Sequence, residues 1–113
     1  MSNTSEDLYA VADFCLIPMG TAETSVAEYI AECQRVLEKS GLKYELHGYG
    51  TNLEGPWSQV SAAIHACHAA VHAKGAPRIA TDIRIGTRVD REIKPGTGNI
   101  GKVERVKEIL KKD

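Results

Sequence analysis

The sequence predicts an α+β fold in which strands and helices follow one another as β-α-β-β-α-β, with an added helix at the C-terminus. Three observations carry that reading. Apolar residues recur at three- and four-residue steps from Val26 to Leu37 and from Trp57 to Val71, as on one face of a helix. The runs Leu42–Tyr49 and Arg78–Arg88 instead alternate apolar with polar residues, the period of a strand with one buried face. Glycines and prolines stand at the junctions between these segments. In this split βαβ order two helices cover one face of an antiparallel sheet, and the opposite face has no helix of its own.

Residues 1–7 are polar and acidic and read as a disordered leader, with residues 8–113 forming a single domain. Tyr9 to Met19 is a β-type run that Pro18, Gly20 and Thr21 bring to an end. Ser25 with Glu28 three residues on forms a capping box for the first helix, which continues through Tyr29, Ile30, Cys33 and Val36 to Gly41. Leu42, Tyr44 and Leu46 then alternate with Lys43, Glu45 and His47. Gly48, Gly50 and Gly55 surround Thr51 to Glu54, a composition suited to a hairpin turn or bulge that feeds a short third strand. Pro56 precedes the second helix, where Trp57, Val60, Ile64, Cys67 and Val71 share a face until Gly75 and Pro77. In the last strand Ile79, Thr81, Ile83 and Ile85 oppose Arg78, Asp82, Arg84 and Arg88. A loop from Asp90 to Gly98 leads to a helix bearing Ile100, Val103, Val106 and Ile109 or Leu110.

Composition narrows the function classes. With 113 residues and 42% apolar content there is material for one core and not two. The 14 Lys and Arg balance 15 Asp and Glu, so no basic field exists to draw a nucleic-acid backbone, and 5% aromatic content leaves few platforms for stacking bases. The first residues lack a cationic start followed by an apolar stretch, and the apolar run Phe14–Met19 is far short of a bilayer span of about 20 residues. A soluble, cytoplasmic protein is expected, without membrane or nucleic-acid partners. Cys15, Cys33 and Cys67 are odd in number and share no C-x-x-C spacing, which suits buried reduced thiols.

The densest polar cluster is His47-Gly-Tyr-Gly-Thr-Asn-Leu-Glu-Gly-Pro-Trp57, where glycines let backbone approach a ligand and Thr51, Asn52 and Glu54 offer hydrogen bonds. Its competing reading is a hairpin whose glycines only satisfy turn positions. The second cluster, Thr81-Asp-Ile-Arg-Ile-Gly-Thr-Arg88, puts Asp82 and Arg84 on one strand face, either toward a ligand or as a surface ion pair. His65, His68 and His72 form a stripe along the second helix, but no accompanying carboxylate motif makes them a metal site, and a packing role is expected. Gly96-Thr-Gly-Asn-Ile-Gly101 matches G-x-G-x-x-G before a helix, yet no βαβ unit or ribose-binding acid follows, so a loop with a helix start is favoured. No Ser-His-Asp or Cys-His arrangement stands at a recognisable spacing, and no cofactor is indicated.

Cys15-Leu-Ile-Pro-Met-Gly-Thr21, Leu46 to Trp57 and Thr81 to Arg88 together resemble the small thiamine-binding protein family, long catalogued as uncharacterised, from about Tyr9 to Leu110. Their wording is most similar to that of fungal members. The resemblance implies a ferredoxin-like subunit that assembles as a dimer or tetramer and binds thiamine or its hydroxymethylpyrimidine half without catalysing a reaction. Carried onto this sequence, it implies a ligand site near Gly20 and Thr21, His47, the Gly50 to Glu54 turn with Thr51 and Asn52, and Asp82 with Arg84. Glu54 or Asp82 would supply a carboxylate, Thr21 and Thr51 hydroxyls, and Tyr49 or Trp57 a stacking surface, with Trp57 more readily a core anchor. Two alternatives stand beside this reading: an oligomeric interaction module without a ligand, and a small enzyme using Glu54 or Asp82 in an intersubunit cleft.

Overall fold

The computed structural model describes residues 7–113. Most of the leader segment lies outside the described residues. Asp7 does not, and it is held: its carboxylate accepts hydrogen bonds from the Ser58 amide, at 2.8 Å, and from the Ser58 hydroxyl. The elements are β1 (Tyr9–Met19), α1 (Ala27–Ser40), β2 (Lys43–His47), β3 (Gly50–Pro56), α2 (Trp57–Ala73), β4 (Arg78–Gly86) and α3 (Gly98–Lys111). The strands form one antiparallel sheet in the order β2-β3-β1-β4, the ferredoxin-like arrangement the sequence predicts.

β1 is an inner strand, paired with β3 on one side and β4 on the other. Its even-numbered residues Ala10, Ala12, Phe14 and Leu16 are buried and face α1 and α2, whose Cys33, Leu37, Val60, Ile64, Cys67 and Val71 complete the core. The small Ala10 and Ala12 let helices approach, while Phe14 and Leu53 fill the remaining space, each apolar side chain of that size contributing about 1.5–3 kcal/mol. Cys67 donates its thiol to the Cys33 carbonyl at 3.7 Å, and contact with Cys33 together with burial pushes its pKa up. Both thiols are free and buried, as the cysteine spacing predicts, whereas Cys15 is free but only half-buried on β1.

Helix boundaries differ from expectation at one end. α1 begins at Ala27 with Val26 as its N-cap, and Ser25 Oγ accepts the Ala27 amide at 3.3 Å, so Ser25 and Glu28 form a local turn and not a capping box. At the other end Gly41 takes a left-handed φ of 76° and stops the helix as predicted. α2 starts at Trp57 directly after Pro56, where the Asp7 carboxylate serves the exposed amide of Ser58 as a cap residue would. Trp57 is 43% exposed and is not the core anchor expected of it. It occupies the first position of α2, its amide bonded to the Leu8 carbonyl at 2.7 Å.

The expected Gly50 to Glu54 turn is instead strand. The reversal itself is Gly48 and Tyr49, and Thr51 to Glu54 pair on both sides, with Leu46 and Phe14 flanking Thr51 and with Lys43 and Val11 flanking Glu54. Alternation then divides this polar cluster. Thr51 and Leu53 point to the helix side, and Asn52 and Glu54 to the open side.

Glu54 fastens α3 to the open side. Its Oε2 accepts the Tyr9 hydroxyl at 2.6 Å and the Gly98 amide at 2.7 Å, and its Oε1 accepts the Asn99 amide at 3.0 Å. The Tyr9 hydroxyl in turn accepts the Gly96 amide at 2.8 Å. A carboxylate among the first amides of a helix answers both their unpaired donors and the positive end of the helix dipole. Gly98 is required for this approach, since a Cβ there would lie 2.5 Å from Val11 Cγ2 and 2.9 Å from Glu54 Oε2. Beyond that anchor α3 leaves the sheet, and Ile100, Val103, Val106, Ile109 and Leu110 are all exposed.

Replacing Glu54 by Ala orphans three donors at once, and a loss of about 2 kcal/mol or more is expected in urea unfolding, with faster hydrogen exchange at Gly98 and Asn99. A change below about 0.5 kcal/mol would remove Glu54 from this role.

Candidate functional site

The nine residues the sequence puts forward do not converge on one point. Glu54 is 3% exposed and its carboxylate is engaged with α3. Gly20 and Thr21 follow the end of β1, where a Cβ at Gly20 would meet Pro77 at 2.8 Å and the Thr21 hydroxyl donates to the Glu23 carbonyl at 3.0 Å. Asn52, Asp82 and Arg84 lie on the open face of the sheet, Arg84 across from Asp13 and Asp82 across from Cys15. Glu54 and Asp82 are separated by four residues of β1 register, about 13 Å along the strand, and share no cleft. His47, Gly50 and Thr51 border a recess beside β1, while Asp82 and Arg84 line a separate, shallower one of about 340 Å³ with Asp13 on the open face.

That recess follows from unequal pairing of β1. β3 accompanies β1 only from Tyr9 to Phe14, whereas β4 accompanies it from Val11 to Met19. From Cys15 onward β1 therefore has no strand on its β3 side, and Pro18, which lacks an amide hydrogen, is tolerated within it. α1 passes over the gap, and the β2–β3 hairpin closes its side. The result is a cleft of about 220 Å³ between the β1 edge, Val26, Ile30, Cys33 and Gln34 of the α1 segment, and Leu46 to Thr51 of the hairpin.

Its polar groups are few and placed. Thr51, 3% exposed, accepts the Gln34 side-chain amide at 3.1 Å. Within the described residues this leaves the Gln34 carbonyl oxygen as an acceptor and the Thr51 hydroxyl hydrogen as a donor, side by side in an otherwise apolar wall. Gln34 escapes sequence reading because it stands in an ordinary helix between Cys33 and Arg35, with no motif around it.

At the mouth, Tyr49 is 89% exposed. His47 Nε2 meets Asp13 Oδ1 at 2.6 Å, and its Nδ1 accepts the Tyr49 amide at 3.2 Å, which fixes the ring with its hydrogen on the Asp13 side. Gly50, opposite His47, makes this diagonal reach possible, and a Cβ there would strike the Phe14 carbonyl at 2.4 Å.

Two histidines of the α2 stripe make hydrogen bonds within the fold. His68 pairs with the Thr81 hydroxyl and His72 with the Ala76 carbonyl at 2.8 Å, so they tie α2 to β4 and its preceding turn. Burial, then the neighbouring His72 and His65, lower the His68 pKa. Among the described residues no cluster of metal-ligating side chains occurs, and no helix is long and apolar enough to cross a membrane.

An antiparallel ferredoxin-like fold with an apolar cleft beside its central strand defines a class of small α+β proteins suited to holding a small molecule. Residues 12–109 match the family model described as thiamine-binding protein, and the chain belongs to that family. It is 54% identical over 81 residues to a UPF0045 protein of Synechocystis sp., an alignment covering 72% of this chain and 66% of that relative, just under two thirds of its length. It is 38% identical over 85 residues to the UPF0045 protein ECM15 of Eremothecium gossypii, covering 75% of this chain and 81% of the relative. The fold matches a hypothetical protein of Methanocaldococcus jannaschii with a TM-score of 0.75 at 28% identity, over 88% of this chain and 97% of the other. A putative thiamine biosynthesis/salvage protein of Thermotoga maritima shares the fold with a TM-score of 0.68 at 15% identity, over 84% and 98% of the two chains.

Tyr9 reports on the Glu54 anchor that lies behind the site. Burial, then its bond to Glu54, push its pKa up to about 12. Because the folded value lies above the unfolded value near 10, its contribution is complete below pH 10 and is lost as pH rises through about 12. Ultraviolet titration is expected to show one tyrosine ionising near pH 12 that Tyr9→Phe removes; full ionisation of Tyr9 by pH 10.5 would contradict the anchor.

Proposed function

We propose that this protein binds thiamine, or its pyrimidine half, in the cleft beside β1, and that it does so without catalysing a reaction. The observation that carries the reading is the Gln34–Thr51 pair set in an apolar recess at an unpaired strand edge. An aminopyrimidine presents an amino donor next to a ring-nitrogen acceptor, complementary to the Gln34 carbonyl and the Thr51 hydroxyl. A volume of about 220 Å³ is below the usual ~300–1,000 Å³ of ligand pockets, so it suits one ring, with the rest of the ligand at the mouth. There the exposed Tyr49 face suits a thiazolium cation. Family membership supports the choice of ligand.

The non-catalytic reading rests on the same geometry. Glu54 is occupied, Asp82 faces the other side of the sheet from the cleft, and His47 has both ring nitrogens engaged. The protein is further proposed to act in the cytosol, where its thiols stay reduced, and as a homo-oligomer that covers the exposed apolar stripe of α3.

Isothermal titration with thiamine and with hydroxymethylpyrimidine, with oligomeric mass measured in parallel, tests this. Saturable binding without product is expected, weakened at least about tenfold, or ~1.4 kcal/mol, by Gln34→Ala. Tyr49→Ala is expected to weaken thiamine more than the pyrimidine. Absence of binding, turnover of the ligand, or unchanged affinity in Gln34→Ala would each overturn the assignment, and a monomeric mass would overturn the proposed assembly.

A further inference from the structure

A second recess lies on the other side of the sheet and has the opposite character. It measures about 470 Å³ and sits between the end of β4, the segment 87–94 and the first turns of α3, over Val11 and Gly86. Arg88 is fixed against Asp90, its Nε 2.6 Å from Oδ1, and this pair frames one wall. The bonds from Arg88 hold the Asp90 carboxyl down at about pKa 2. With that pair set aside, the lining carries four cations, Arg91, Lys94, Lys102 and Arg105, against the single carboxylate of Glu92. No lysine or arginine lines the cleft beside β1.

The face that α3 turns to this recess is Gly98, Gly101, Lys102 and Arg105, at steps of three and four residues. Two glycines are followed by two cations, which gives a use to the G-x-G-x-x-G spacing. Gly98 allows the helix to reach Glu54, and Gly101 keeps the wall low, since nothing lies within 4 Å of where its Cβ would be. The first amides of α3 are already spent on Glu54, so the positive character of the recess resides in its side chains.

We propose that this recess is a second ligand site, for a small anion of the phosphate or diphosphate class. Lys102 and Arg105 hold the anion from the helix, and Arg91 and Lys94 close on it from the loop, the Arg side chains offering paired donors that match phosphate oxygens. The site is separate from the cleft and does not depend on what the cleft binds.

Titration of the full chain with sodium pyrophosphate at low and high salt tests it, with citrate as a non-phosphate polyanion. Saturable binding that weakens with salt is expected, tighter for pyrophosphate than for citrate. It should fall at least tenfold in Lys102→Ala/Arg105→Ala, fall again in Gly101→Val, and stay unchanged in Lys39→Ala, which removes a cation from α1. No saturable binding, equal binding by the double variant, or equal loss in Lys39→Ala would overturn the site. Tighter binding of citrate would overturn the phosphate class.

Discussion

β1 is paired on both sides, but not over the same residues, and this offset decides where everything else lies. β3 ends its pairing at Phe14 while β4 continues to Met19, so one edge of β1 is free beneath α1. At the opposite end β4 stops at Gly86, opposite Val11, and the chain that leaves it rises over the open face. The apolar cleft forms at the first of these ends and the cationic recess at the second. A β3 strand extended to pair with Ile17 would close the cleft, and no substitution of its lining would restore it.

Glu54 joins the two halves of this arrangement. A carboxylate on a strand would ordinarily face water, yet here it is buried and supplied with a phenol and two backbone amides. Charge-assisted bonds of this kind offset the desolvation of the group, and they orient α3 from its first turn. The rest of α3 makes little contact with its own sheet. Its apolar side chains Ile100, Val103, Val106, Ile109 and Leu110 stay exposed.

Periodicity in the sequence reveals the strands and helices because each has one face turned to a common core. The even residues of β1, Ile79 and Ile85 of β4 and the Cys33 and Leu37 positions of α1 are legible in this way, whereas Ile83 of the same series is exposed. The site is less legible. The glycine-rich segment points to the β2–β3 hairpin, but alternation sends Thr51 to the cleft and Glu54 to the other side, and the partners of Glu54 stand more than 40 residues away. Gln34 matters only through what β3 brings opposite it, which no local pattern encodes. Trp57 reads as core because of its size, whereas its place in the first turn of α2 leaves it half in solvent.

The placement of the ligand beside the free edge of β1 is tested most directly by nuclear magnetic resonance of the labelled protein during titration with hydroxymethylpyrimidine. The largest shifts are expected at the amides of Cys15 to Ile17, Tyr49 and Thr51 and at the side-chain amide of Gln34, with Asp82 and Arg84 unmoved. Shifts centred on Asp82, Arg84 and Asn52 would place the ligand on the open face of the sheet and contradict the cleft.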